Sequence, residues 1–193
     1  MMNNILMNKK VIDLINETKN YNLELKENEQ IIINFYNNNI DNLNIKIVQT
    51  NSSSLIINFV SLIKKDTTIN IENSIIGNDN KCIIKVHAIA EKGFGQINVK
   101  VKANENTKNN KVIEDLKAIN EQGIISLMPI LEIDTNEIDA EHYATIGQID
   151  KQKLFYLQTK MLNKSSAYKL LREKFIYEIF DNDFLKKINI GKE

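Results

Sequence analysis

Two histidines, one cysteine and a run of carboxylates are the residues of this 193-residue chain with the best claim to chemistry. The carboxylates Glu132, Asp134, Glu137, Asp139 and Glu141 lead into His142, in "LEIDTNEIDAEHYATIG". Paired carboxylates can do acid–base work or hold a hard cation. Strand alternation, however, puts Glu132 and Asp134 on one face and Glu137, Asp139 and Glu141 on the other, so a solvated strand edge is the plainer expectation. His142 shares its face with Ile138, Ala140 and Ala144, which predicts a partly buried histidine. His87 falls opposite Cys82, Ile84, Val86 and Ala88, beside Lys85, which predicts solvent exposure. Cys82 reads as a small buried hydrophobe. As the only cysteine it excludes an intrachain disulfide and any multi-cysteine metal site within one chain.

The elements that must position these residues change period twice. Residues 1–20, with Ile5, Leu6, Val11, Ile12, Leu14 and Ile15, suit a short helix. From there to residue 149 the period is two. "LELKENEQIIINFYN", "NLNIKIVQT", "SSLIINFVSLI", "TTINIENSII", "KCIIKVHAIA", "GQINVKVKA", "ISLMPILEI" and "EIDAEHYATIG" read as short strands separated by Asn, Asp, Gly or Lys clusters. Glycine is scarce, so the turns must lean on asparagine, which tolerates left-handed geometry. Strands at this spacing fit either a sandwich or a solenoid, and the pattern does not decide between them. From 150 to 193 the period returns to about 3.6. Asp150 and Asn163 stand as N-caps. Leu154, Leu157 and Met161 line one helix, and Ala167, Leu170, Leu171, Phe175 and Ile179 line the next.

Composition narrows the function classes. Net charge is zero, with no basic field to hold a nucleic-acid backbone. No apolar run approaches the roughly 18 residues of a membrane span, and the N-terminus lacks a signal peptide's apolar core. A lone cysteine fits a reducing cytoplasm. Walker, HExxH and CxxC motifs are absent, and Gly93-Phe94-Gly95 reads as a turn because a strand pattern follows it. Asparagine (29) and isoleucine (33) are abundant and Arg172 is the sole arginine, the mark of an A/T-rich coding bias that blurs motifs.

Residues 129–180 carry more than pattern. Pro129, Leu131, Glu132 and Ile133 are followed at a fixed spacing by His142, Ala144, Thr145 and Gly147, then by Leu154, Phe155, Tyr156 and Leu157, then by "AYKLLREKFIYEIF" with Ala167 and Phe175. This succession resembles the C-terminal signature of the SufB/SufD family of iron–sulfur cluster assembly proteins, and its His-x-Ala-Thr-x-Gly form is similar to SufD. Two departures stand out. Tyr143 occupies a family glycine position. Thr159, Lys160, Met161 and Leu162 replace Ser-Arg-Gly-Ile/Leu, which removes an easy left-handed C′ residue and predicts an interhelix turn that differs or costs stability.

The resemblance implies a mainly β chain: a right-handed parallel β-helix over residues 21–149 with a C-terminal α-helical hairpin over 150–193. Family members are longer, which implies an N-terminally shortened chain. It further implies a non-catalytic scaffold subunit, not an enzyme, that pairs with a SufB-like subunit and recruits a SufC-like ATPase. The implied partner-binding residues are Leu154, Phe155, Tyr156, Leu157, Ala167 and Phe175. The implied cofactor is a transient iron–sulfur cluster shared with the partner subunit, with His142 as metal and cluster ligand at the subunit interface. Alternatives are a homodimer through the β-helix, a degenerate member that keeps only interaction surfaces, and a stand-alone carbohydrate-active β-solenoid that uses the acid cluster.

Overall fold

The computed structural model describes residues 8–38 and 42–188. Among the described residues, eleven strands are followed by three short helices. The strands are β1 (Asn8–Ile15), β2 (Tyr21–Leu25), β3 (Glu29–Asn37), β4 (Asn42–Gln49), β5 (Ser54–Ile63), β6 (Thr67–Ile75), β7 (Lys81–Ala90), β8 (Phe94–Ala103), β9 (Asn110–Asn120), β10 (Ile124–Ile133) and β11 (Ile138–Gly147). The helices are α1 (Lys151–Thr159), α2 (Lys164–Tyr177) and α3 (Asn182–Lys187). Odd strands form one sheet in the order β1-β3-β5-β7-β9-β11, and even strands form another, β10-β8-β6-β4-β2. Strands pair in parallel with the strand two places earlier, as β7 does with β5 and β8 with β6. The chain is therefore a parallel β-solenoid of about five turns, each turn giving one strand to each sheet.

Alternation decides what fills it. In β6 every second residue is buried, and the buried set stacks coil upon coil. Ile31, Leu55, Cys82 and Val112 form one inward column of the odd-strand sheet, and Ile33, Ile57 and Ile84 form the next. Phe35 and Phe59 meet edge to face at 5.0 Å in a third. Cys82 is fully buried, as expected, and its Sγ lies 3.2 Å from Asn73 Nδ2.

Asparagine shapes the corners. Asn28, Ser52, Asp79 and Asn109 stand at the same corner of successive coils, all with positive φ. Behind them Ser53, Asn80 and Asn110 form a buried ladder, in which each side-chain carbonyl accepts the backbone N–H of the coil before it at 2.9 Å. Outside the even-strand sheet, Asn98, Asn70, Asn44 and Asn20 bond amide to amide.

Two sequence expectations fail here. The expected helix over 1–20 is strand in its described part, Asn8–Ile15, which pairs with β3 along its full length; residues 1–7 lie outside the described residues. Tertiary pairing overrides a short run's helical pattern. His87 is 1% exposed, not solvated. It does face away from the solenoid interior, as alternation requires, but α2 and α3 pack over that outer face. Ile176, Phe180, Phe184 and Ile188 close a second core there on Tyr36, Val60, Leu62, Ile89 and Ile119.

Candidate functional site

The last coil, β10 and β11, has a neighbour on one side only. β11 pairs with β9 and β10 with β8, and each carries a free edge. Residues that are buried one coil earlier consequently come to the surface. Below them lie Val112, Glu114, Leu116 and Ala118; in register above stand Ala140, His142, Ala144 and Ile146. His142 is thus in the inward column, as alternation predicts, yet it is exposed rather than partly buried, because no further coil covers it. Tyr143 points to the other face, where its hydroxyl donates to Glu141 Oε2 at 2.7 Å. Its bulk does not stand over His142.

Besides Glu141, which accepts from Tyr143, three carboxylates of the run before His142 meet lysines. Glu132 meets Lys100 at 2.6 Å, Glu137 meets Lys108 at 3.0 Å and Asp139 meets Lys111 at 2.9 Å, each a lysine from the preceding coil. Lys100 holds the Glu132 carboxyl below its ordinary pKa through that hydrogen bond. This is a solvated, lysine-laced strand edge. It offers no free carboxylate pair for hydrolysis, and among the described residues no group of three or more His, Cys, Asp and Glu could hold a metal ion.

One residue escaped the sequence reading altogether. β9 is missing from the expected strands, and it carries Glu114, directly under His142 in register. Glu114 is 0% exposed and neither carboxylate oxygen has a hydrogen-bond partner. Burial pushes its carboxyl up to about 8; the backbone of Val101 acts in the opposite sense but falls short of a well-formed hydrogen bond. A nitrogen from the exposed His142 suits borderline iron, whereas both Glu114 oxygens are sealed from solvent. Sulfur does not come from this chain, because Cys82 is sealed in the core and burial pushes its thiol up to about 12. A cluster at this end would need thiolates from elsewhere.

Beyond β11, Asp150 caps α1 by accepting from the backbone N–H of Gln152 and Lys153, and Asn163 caps α2 through Ser166, both as the sequence predicts. α1 buries no residue. Leu154 and Leu157 are half-buried, whereas Phe155 is 68% exposed and Tyr156 60%. Ala167 is buried on α2. Phe175 is half-buried, its ring stacked on His87 at 4.4 Å. Of the six expected partner-binding residues, then, Phe155 and Tyr156 present themselves most fully, and Ala167 and Phe175 serve the chain's own packing.

Arg172 fastens α2 to the solenoid. Its guanidinium meets Glu91 after β7 and, at 3.1 Å, Glu121 after β9, and the Tyr168 hydroxyl donates to the same Glu121 oxygen at 2.9 Å. The sequence signal for this latch is that Arg172 is the only arginine.

No helix among the described residues is long and apolar enough to cross a membrane. A search of curated proteins finds no match to the chain. A family profile described as "SUF system FeS cluster assembly, SufBD core domain" matches residues 33–175, which spans β3 to α2 and includes the whole open end. That match covers well over half of the sequence: the chain belongs to the SufB/SufD family of iron–sulfur cluster assembly proteins.

Proposed function

We propose that this chain is a SufD-like, non-catalytic scaffold subunit that works in the cytoplasm. It would pair with a SufB-like subunit through the open end of the solenoid and recruit a SufC-like ATPase through its C-terminal helices. The observation that carries the reading is the uncapped last coil. There an inward-column histidine, followed on its face by Ala144 and Ile146, is exposed on the edge strand of one sheet, beside the edge strand of the other. A partner solenoid can satisfy those edges by strand addition and cover the apolar column at the same time. His142 would then face the partner across the seam, where the partner's thiolates could complete an iron–sulfur cluster. The cluster is cargo in this scheme, held transiently and passed on. Phe155 and Tyr156, exposed on a helix that buries nothing, supply the aromatic anchors that an interface uses.

The test is coexpression with SufB-like and SufC-like subunits, followed by size and anaerobic iron and sulfide analysis. Wild-type chain should give a ternary complex that holds iron and sulfide; His142→Ala should give the same complex with less of both. An unaltered cluster content in His142→Ala would refute the ligand role. It would favour the second reading, a degenerate member that keeps only its interaction surfaces.

A further inference from the structure

We infer that the outer face of the odd-strand sheet is a docking shelf for one amphipathic helix of a partner protein, a helix that carries acids along one edge. The shelf is separate from the open end, and the role of His142 does not bear on it.

Register builds the shelf. Val11, Ile32, Ile56, Ile83 and Ile113 stand in one outward column over successive coils. Val11 is 49% exposed, the four isoleucines are half-buried, and none of the five packs against either core. The outward positions of the other sheet show what a solvated face carries at the same spacing: Asn44, Asn70 and Asn98 in one column, Lys46, Glu72 and Lys100 in the next. An A/T-rich coding bias enriches isoleucine but does not choose a face. A continuous apolar stripe at the surface marks a place where something docks. The column passes to Glu141 on β11, so the stripe stops one coil short of the open end.

Shape and charge decide the occupant. α2 and α3 cover the other half of this face and run down the stack, from Glu121 after β9, held by Arg172, to Asp13 on β1, held by Lys187. The stripe lies four residues, about 13 Å, from the column of Tyr36, Val60 and His87 beneath them. That leaves room for one more helix at the usual interaxial distance of about 8–10 Å. Four coil steps of about 4.8 Å make the stripe about 19 Å long, which a helix covers in about 13 residues. A flat partner, a second copy of this solenoid included, would be held off by α2 and α3, each about 10 Å thick. On the far side the stripe is flanked by Lys9, Lys81 and Lys111, all exposed, and Asp139 on Lys111 is the one carboxylate in that column. On the helix side, Asp13 and Asp115 are taken by Lys187 and Lys117. Acids along one edge of an incoming helix therefore meet the lysine rim while its apolar face meets the stripe.

The probe is a stapled, fluorescein-labelled helical peptide of about 16 residues, with leucine on one face, glutamate along one edge and glutamine elsewhere. It is titrated into the full chain and read by anisotropy. Wild type should bind it one to one, and the same peptide with lysine in place of glutamate should bind roughly tenfold more weakly. Ile56→Thr with Ile83→Thr keeps both positions β-branched, so it should melt close to wild type, and it should weaken binding by roughly tenfold or more. Lys81→Glu should weaken binding by roughly threefold, and Lys46→Glu, the same charge change on the other sheet, should bind as wild type does. The inference falls if wild type binds neither peptide or if the threonine pair binds as wild type does. It falls equally if the lysine-edged peptide binds as well as the glutamate-edged one, or if Lys81→Glu changes nothing. Light scattering of the peptide-free chain checks the other occupant: a dimer that the threonine pair turns into monomers would give the stripe to a second copy and overturn the helix.

Discussion

Met161→Gly should stabilise the end of α1. Met161 sits at the position where the family has glycine, and its φ is 68°. The turn closes as a glycine would close it: the Leu162 N–H donates to Leu157 C=O at 3.3 Å and the Met161 N–H to Gln158 C=O at 3.1 Å, the two bonds of a Schellman cap. The missing glycine therefore leaves the geometry unchanged and puts a β-carbon where one is disfavoured. A left-handed conformation costs an L-residue about 1–2 kcal/mol. Glycine's extra freedom in the unfolded chain returns roughly 0.4–1 kcal/mol of that. Met161 is 99% exposed, so no packing is lost and the net gain is about 0.5–1 kcal/mol. Because α1 buries nothing, it opens locally before the solenoid does, and a global melt would under-report the effect. Amide hydrogen exchange over Leu154–Thr159 is the suitable assay, and it should slow by roughly 2–5-fold. Met161→Ala keeps the strain and should exchange as wild type does. If Met161→Gly exchanged no more slowly than Met161→Ala, the cap would not be strained and the argument would fail.

Three further outcomes follow from the packing. Arg172→Ala should lower stability by roughly 1–2 kcal/mol in urea denaturation, because it unpins α2 from both Glu91 and Glu121, and Arg172→Lys should recover only part of that. The His87 Nδ1–H donates to the Phe175 carbonyl at 2.6 Å, leaving Nε2 buried, unprotonated and 3.7 Å from Glu178. Burial lowers its pKa against the smaller favourable effects of the Phe175 carbonyl, Glu178 and Asp115. The unfolded chain thus takes up a proton that the folded one resists, so stability falls as pH drops from about 6.5 through the folded value. Melts at pH 5.5 and 7.5 should differ less in His87→Asn, which keeps a donor for Phe175 but cannot titrate. Phe155→Ser with Tyr156→Ser should leave the melting curve almost unmoved, since both side chains are exposed, and should abolish capture of a SufC-like ATPase.

Much of the body was legible from period alone. β4 to β8, β10 and β11 coincide with alternating segments, and the two main helices begin at their expected caps. Alternation could not choose between sandwich and solenoid, because either buries every second residue; the parallel pairing of strands two apart is a tertiary fact. β9 was illegible for a reason found in one side chain. In "NKVIEDLKAIN" the inward residues are Val112, Glu114, Leu116 and Ala118, and the acid breaks the apolar alternation that would have marked a strand. The same side chain hid the strand and stands buried directly under His142 in register. Asparagine was legible at the corners, where Asn16, Asn28, Asn106 and Asn109 take positive φ. Its amide ladders were not, because they need the coil register to bring Asn44, Asn70 and Asn98 together.

The two histidines show where such reading stops. Alternation assigned each to the correct face, His142 inward and His87 outward, and both exposures came out reversed. A face tells only which way a side chain points. Burial depends on what lies beyond it, and the two reversals have different causes. His87 points out, but residues about 90 positions later return across that face as α2. His142 points in, but it belongs to the last coil, where the inside of a solenoid is open. In a repeat stack every column is solvated at its end. A polar inward residue is therefore inexpensive in the final coil and costly one coil below. His142 needs no special account as an exposed histidine. Glu114, in the same column under a full coil of cover, bears that cost: neither carboxylate oxygen has a hydrogen-bond partner, and burial pushes its carboxyl up to about 8.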